Sequence, residues 1–237
     1  MPLCRVPPAR VSEYERSAEW AALSPVFEAD WQRRPRNTNV LYADGHWVVV
    51  RFAVLARYFG YVQGYLYLLL PLQHVLASRE LTLHALLTLV GATHCYSPIG
   101  LELGFYKHRK AVVSDVLLRA IRRYPHARAR LLHLSTSDAF CDNVCLRLLF
   151  IMFGQSFEFD ALLIVWDLLL PALCAGDHEP LIDMASELLA HYVRTSERRN
   201  DANEDADAIW GVRSKPMGSE TAAELVARCI SARTHAC

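Results

Sequence analysis

Arg57-Tyr58-Phe59-Gly60-Tyr61-Val62-Gln63-Gly64-Tyr65 interrupts a chain that is otherwise apolar and helical in pattern. One polar amide, Gln63, stands between two glycines and among four aromatic rings. Glycine tolerates backbone angles and close approaches that are closed to other residues. Gly60 and Gly64 therefore predict a tight turn into a helix that carries Gln63 near its start. A glutamine there can orient a water or bond a partner's backbone. The plainer reading is a helix N-terminus with a satisfied polar residue. On either side the pattern stays helical. His46 to Phe59 leads in, and Tyr67 and Leu70 follow, with Pro71 bending or ending the first half.

N-terminal to this stretch, Tyr14, Trp20, Leu23, Phe27 and Trp31 predict a helix from Ser12 to Trp31. It ends in a basic loop containing Pro35 and Asn37, whose plain reading is a solvated arginine cluster. Downstream, Leu81 to Val90 reads as a buried helix stopped by Gly91, and Thr93 to Tyr106 as a loop. Val113, Val116, Leu117, Ala120, Ile121 and Tyr124 repeat at helical spacing, and Pro125 opens a short helix. Ser135 to Asp138 caps a helix from Ala139 to Phe153 that Gly154 closes. Ser156 caps the next, which Pro171 stops, and Asp177 caps one with Leu181, Met184, Leu188 and Tyr192 on a face. Ser196 to Asp207 is acidic and lacks large apolar residues, so it reads as a mobile linker. Leu225, Val226, Cys229 and Ile230 predict a last short helix. Only Val48 to Val50 resembles a strand, and weakly. The class is all-α. The expected division is a loose end over 1–11, a helical domain over 12–195, and an acidic linker with a short helix over 196–237.

Composition excludes several functions. The 237 residues carry 25 basic and 25 acidic side chains, so no basic field invites nucleic acid. Seven cysteines without framework spacing predict reduced thiols and a cytoplasmic setting. No apolar run follows Met1, so no signal peptide is expected. Leu66–Leu72 and Ala161–Ala175 are too short or too interrupted to span a bilayer. Gly100 to Lys107 lacks the spacing of a phosphate-binding loop, so no nucleotide site belongs to the chain itself. Lys107-His108-Arg109-Lys110 reads as a solvated face, the alternative being contact with anionic lipid or a GTPase. Cys141 and Cys145 share a helix face with no histidine nearby, which favours small buried hydrophobes over metal ligands. His94-Cys95 has no third residue to orient a nucleophile. Trp166-Asp167 looks catalytic in isolation, yet a core tryptophan beside a helix-face carboxylate is simpler.

Two spacings point further. Phe27-x-x-Asp30-x-x-Arg33 resembles the IxxDxxR motif of the TBC domain, the Rab GTPase-activating family, with Phe in place of Ile. Tyr61-Val62-Gln63-Gly64 resembles that family's YxQG motif, 30 positions after the arginine. Arg34 and Arg36 are neighbours, and the spacing from Asp30 selects Arg33. Phe52-Ala53 stands where the family has Tyr-Ala, and Pro125 with His133-Leu134 matches a later stretch. Arg147, Phe153, Phe157 and Trp166-Asp167 are similar to its Arg-Trp, Arg-Glu-Phe and Trp-Asp helices. Here Leu148 replaces the tryptophan, and Gln155-Ser156 replaces Arg-Glu.

The resemblance covers about residues 20 to 195 and implies a multi-helix TBC-like (Rab-GAP) domain that activates a Rab-family small GTPase in trans. It makes Arg33 an arginine finger and Gln63 the residue that orients the attacking water. Asp30, Tyr61 and Gly64 become supporting residues, and Arg147, Trp166 and Asp167 a structural motif. It implies no cofactor of the chain's own, since GTP and Mg²⁺ arrive with the partner, and peripheral contact with endomembranes. A planar, permanently charged guanidinium suits phosphate oxygens, and such a finger is worth on the order of 10³–10⁵ in rate. The alternative is a TBC-fold binding module that docks a GTPase or another trafficking protein without accelerating hydrolysis. It draws on Tyr65, Leu66 and Tyr67, where the family continues with Met, Asn and an acidic residue.

Overall fold

Among the described residues the chain is helical throughout, with no strand and one isolated bridge between Phe157 and Met217. The computed structural model describes residues 6–33, 40–55, 64–93, 105–196, 200–212 and 216–234. The chain forms two compact units, Met1–His94 and Cys95–Cys237.

In the first unit α1 spans Pro8–Glu15 and α2 spans Ala18–Gln32. Pro8 sits in the first helical turn, where its missing N–H costs nothing. The expected loose end is thus helical from residue 8, and Val11 is buried. The single helix expected from Ser12 to Trp31 is broken at Arg16-Ser17, because Ser17 caps a new one by accepting the Trp20 N–H at 3.1 Å. Next come α3 (Tyr42–Leu55), α4 (Leu66–Leu76) and α5 (Arg79–Thr93). Val48 to Val50 lies inside α3 and is buried there, so the strand reading is overturned. Helix α5 packs on α3 and α4, and α1 packs on α2 and α3. Pro71 does not end α4, and Gly91 does not end α5.

The second unit contains α6 (Phe105–Arg123), a 3₁₀ turn over Pro125–Ala127, α7 (Arg128–Leu134) and α8 (Asp138–Asn143). A π-helical segment, Val144–Phe150, continues α8. Then follow α9 (Phe159–Cys174), α10 (Glu179–Thr195), α11 (Ala202–Val212) and α12 (Ser219–Thr234). Ser137 caps α8 as expected, accepting the Phe140 N–H at 3.2 Å. The helix expected to reach Phe153 stops at Phe150. Helix α9 runs through Pro171, and Gly176 at φ 79° turns the chain beyond its end. Ser156 does not cap α9, whose preceding residue is Glu158. Helix α9 lies against α12 and α10, and its Trp166 bonds the Met152 carbonyl just beyond the π segment.

The expected linker is also corrected. Residues 202–212 form α11, in which Ala206 and Ile209 are buried. Arg130, on α7, holds this helix down. Its Nε and Nη2 donate to both Asp205 oxygens at 3.0 and 2.6 Å. The remaining N–H groups meet the Val193 and Ser196 carbonyls at the end of α10, and the Ser196 hydroxyl. All five guanidinium donors are thereby used. Cys141 and Cys145 are buried, as expected of small apolar side chains.

Candidate functional site

The end of α2 and the start of α4 meet at a carboxylate. Phe27 is fully buried, which turns this face of α2 inward, and Asp30 follows nearly one turn later. The Asp30 side chain is only 7% exposed, whereas that of Arg33 is 62% exposed. Residues three apart on a helix are neighbours, so Arg33 Nη2 lies 4.0 Å from Asp30 Oδ1. The other carboxylate oxygen, Oδ2, accepts the Gly64 N–H at 3.0 Å. One buried carboxylate therefore ties the exposed arginine to the backbone of the glycine-rich stretch.

Gly64 has φ 109°, a conformation strained for any residue with a Cβ. The expectation that this glycine makes a tight turn agrees with that angle. The helix starts later than expected, at Leu66, with the Gly64 and Tyr65 carbonyls accepting from Tyr67, Leu68 and Leu69. The Tyr65 ring packs edge-on against Phe52, 5.2 Å between centroids. Gln63, Tyr61, Gly60, Arg34 and Arg36 lie outside the described residues, as do His94 and Cys95.

Arg33 is the capping residue of α2. Its Nε donates to the Ala29 carbonyl at 3.0 Å. A cation there meets the negative end of the helix dipole. The guanidinium is thus folded back along its own helix, on the solvent side. Behind it an aromatic cluster stiffens the helix end. Phe27, Trp31, Tyr42 and His46 have centroids between 5.3 and 6.0 Å apart. Tyr42 also donates to Glu28, and burial together with that carboxylate pushes its pKa up to about 12. Sequence reasoning missed Gly45 of α3. A Cβ on it would stand 2.4 Å from Cζ3 of Trp31, so glycine there admits the indole.

The three residues of the expected structural motif fall in the second unit. Arg147 is half-buried on the π segment, Trp166 is buried on α9, and Asp167 is exposed. The indole Nε1 of Trp166 donates to the Met152 carbonyl at 3.0 Å, which is a structural bond. A concavity of about 490 Å³ lies elsewhere in the first unit, between α1, the start of α2 and Val54 of α3, and involves no expected site residue. Among the described residues no cluster of His, Cys, Asp and Glu is arranged to hold a metal. No described helix is long and apolar enough to cross a membrane. No family model matches the chain, and neither does any curated protein or solved structure.

Proposed function

We propose that this chain is a GTPase-activating protein for a Rab-family small GTPase, of the TBC type, acting in trans through Arg33 and Gln63. One observation carries the reading: Asp30 bonds the Gly64 amide while sitting beside Arg33. Gly64 is the residue covalently joined to Gln63, so the finger and the amide motif are anchored at a common carboxylate. GTP hydrolysis needs the attacking water placed and the phosphoryl charge stabilised. An exposed, permanently charged arginine suits the second task, and a glutamine suits the first. GTP and Mg²⁺ belong to the partner.

Groups that act in the transition state change turnover more than docking. Arg33→Ala and Gln63→Ala should therefore each lower stimulated hydrolysis a hundredfold or more, on the order of the loss expected for such groups. Arg36→Ala should do less. The measurement is single-turnover GTP hydrolysis across a panel of Rab GTPases, with complex formation followed alongside. Asp30→Asn separates anchoring from chemistry. It retains an acceptor for Gly64 but removes the charge beside Arg33, so activity should fall less than in Arg33→Ala. The binding-module reading is favoured by one feature, the fold-back of Arg33 onto Ala29. Tight binding of a Rab without any stimulation of hydrolysis would establish that reading instead.

A further inference from the structure

Helix α10 carries one polar stripe, Asp183, Glu187, His191 and Arg194, at spacings of four, four and three. Its first half faces α6 as a ladder of opposite charges. Arg119 meets Glu179 at 2.7 Å and Asp183 at 3.1 Å. Arg123 meets Asp183 at 2.6 Å and Glu187 at 3.1 Å, and the Tyr124 hydroxyl donates to Glu187 at 2.6 Å. Asp183 and Glu187 are buried, and each is answered by an arginine. Helix α6 ends at Arg123, and the ladder ends with it. Beyond that point the α10 stripe turns basic. Arg194 lies over the Tyr124 ring, 5.1 Å from its centroid. From α12, Arg228 reaches the Tyr124 hydroxyl. Its ion pair is with Glu224 of its own helix at 3.4 Å, both side chains being exposed. His126 packs edge-on to the same phenol, 6.1 Å between centroids. Among the described residues Arg194 has no ion pair, and neither ring nitrogen of the half-buried His191 has a hydrogen-bond partner. A cation at the end of α10 suits the helix dipole, which accounts for Arg194. It does not account for Arg228 arriving beside it from α12.

We propose that this seam of α6, α10 and α12 is a binding site for a phosphate ester, held by Arg194 and Arg228 with His191 as a third donor. Like charges brought together are unfavourable until an opposite charge joins them. Two forked, permanently charged guanidiniums and an imidazolium suit a tetrahedral dianion better than a planar carboxylate with a single charge. Burial first, and then the Arg194 and Arg228 charges, hold the His191 pKa below the usual histidine range, while Glu224 opposes them. Glu187, one turn before His191, is already engaged by Arg123 and Tyr124. No charged group of α9, α11 or the π segment acts on His191 among the described residues. Without ligand His191 is therefore largely neutral at neutral pH, and a bound dianion raises its pKa. Binding then takes up a proton and tightens as pH falls through the histidine range.

The experiment uses sulfate on the full chain, because sulfate stays doubly charged over that range whereas phosphate itself titrates. Histidine ring shifts are followed by NMR against pH, in sulfate and in chloride at equal ionic strength. Sulfate should raise the His191 pKa by about one unit, equivalent to roughly tenfold tighter binding to the protonated form. Arg194 and Arg228 are exposed, so their variants should fold. Arg194→Gln and Arg228→Gln should each weaken sulfate binding about fivefold or more. His191→Gln should remove most of the pH dependence. Glycerol phosphate, and phosphatidylcholine vesicles with or without phosphatidic acid, then separate a free ester from a lipid headgroup. Whichever of them binds should be lost in the double variant Arg194→Gln, Arg228→Gln, and failure of both overturns the proposal. A sulfate response no larger than that of chloride also overturns it, as does saturable binding that the double variant retains, or a His191 pKa that sulfate leaves unmoved.

Discussion

At the scale of single residues, the spacing of Asp30 and Arg33 already contains their relation. An i, i+3 pair near a helix end meets wherever the helix forms, and the Pro35 and Asn37 signals give that end to within a residue or so. The third participant does not follow from spacing. Gly64 lies 34 residues from Asp30, and only the fold brings its amide to the carboxylate. That a glycine is needed there was legible; what its N–H bonds was not. Gly45 is the opposite case, a glycine inside a helix whose reason is wholly tertiary. Alanine is the better helix former by about 1 kcal/mol. Against that stands a Cβ at 2.4 Å from the rigid indole of the buried Trp31. Overpacking of this kind costs roughly 1–3 kcal/mol, so the steric term should win. Gly45→Ala is expected to lower the midpoint of a thermal melt. Adding Trp31→Leu should make the same substitution close to neutral or favourable. A melt unchanged by Gly45→Ala alone would show that the indole has room to move.

At the scale of elements, helix existence was largely legible and helix ends were not. The prolines illustrate the reason. Pro25 in α2 and Pro171 in α9 both sit inside continuing helices on exposed faces. The carbonyls they orphan belong to Ala21 and Asp167, which are also exposed and can be satisfied by water. Local propensity therefore loses to the packing of the opposite face. Helix α11 shows the converse. Its sequence is acidic and reads as a linker, but its anchor is Arg130, 75 residues from Asp205. Such a pairing of charges distant in sequence leaves no local periodic trace. It should nonetheless dominate the stability of this corner. Arg130 is buried with every donor engaged, and breaking a buried pair from one side typically costs about 3–5 kcal/mol. Arg130→Ala should therefore destabilise the second unit by that order in urea denaturation. Arg130→Lys should recover little, since an ammonium offers three donors without the planar fork. The double variant Arg130→Met, Asp205→Leu should be less damaging than the sum of its parts, because neither charge is then left alone. Additive losses would mean that the pair is not coupled as the geometry indicates.

At the scale of the whole molecule, the chain divides into two compact units, each with its own buried side chains. Phe27, Val48, Phe52 and Leu68 are buried in the first unit; Val116, Leu131, Phe140, Leu148, Trp166 and Leu188 are buried in the second. The candidate site draws its described residues from the first unit alone, while the Trp166 motif belongs to the second. Composition could not reveal this division, since both halves are apolar and helical. The division makes a testable separation. Trp166 is 2% exposed and its indole bonds the Met152 carbonyl, so Trp166→Ala removes both packing and a buried hydrogen bond. Large-to-small changes of this kind cost roughly 3–5 kcal/mol. Native-state hydrogen exchange resolves openings of separate cooperative units. The variant should lose amide protection in α9, α10 and α12, while α3, α4 and α5 retain theirs. Gly45→Ala should show the reverse pattern. Equal loss of protection in both units from either substitution would mean that the two cores open as one cooperative body. In that event a lesion at Trp166 would also disturb the Asp30–Gly64 anchor and, on the proposed function, lower stimulated hydrolysis with it.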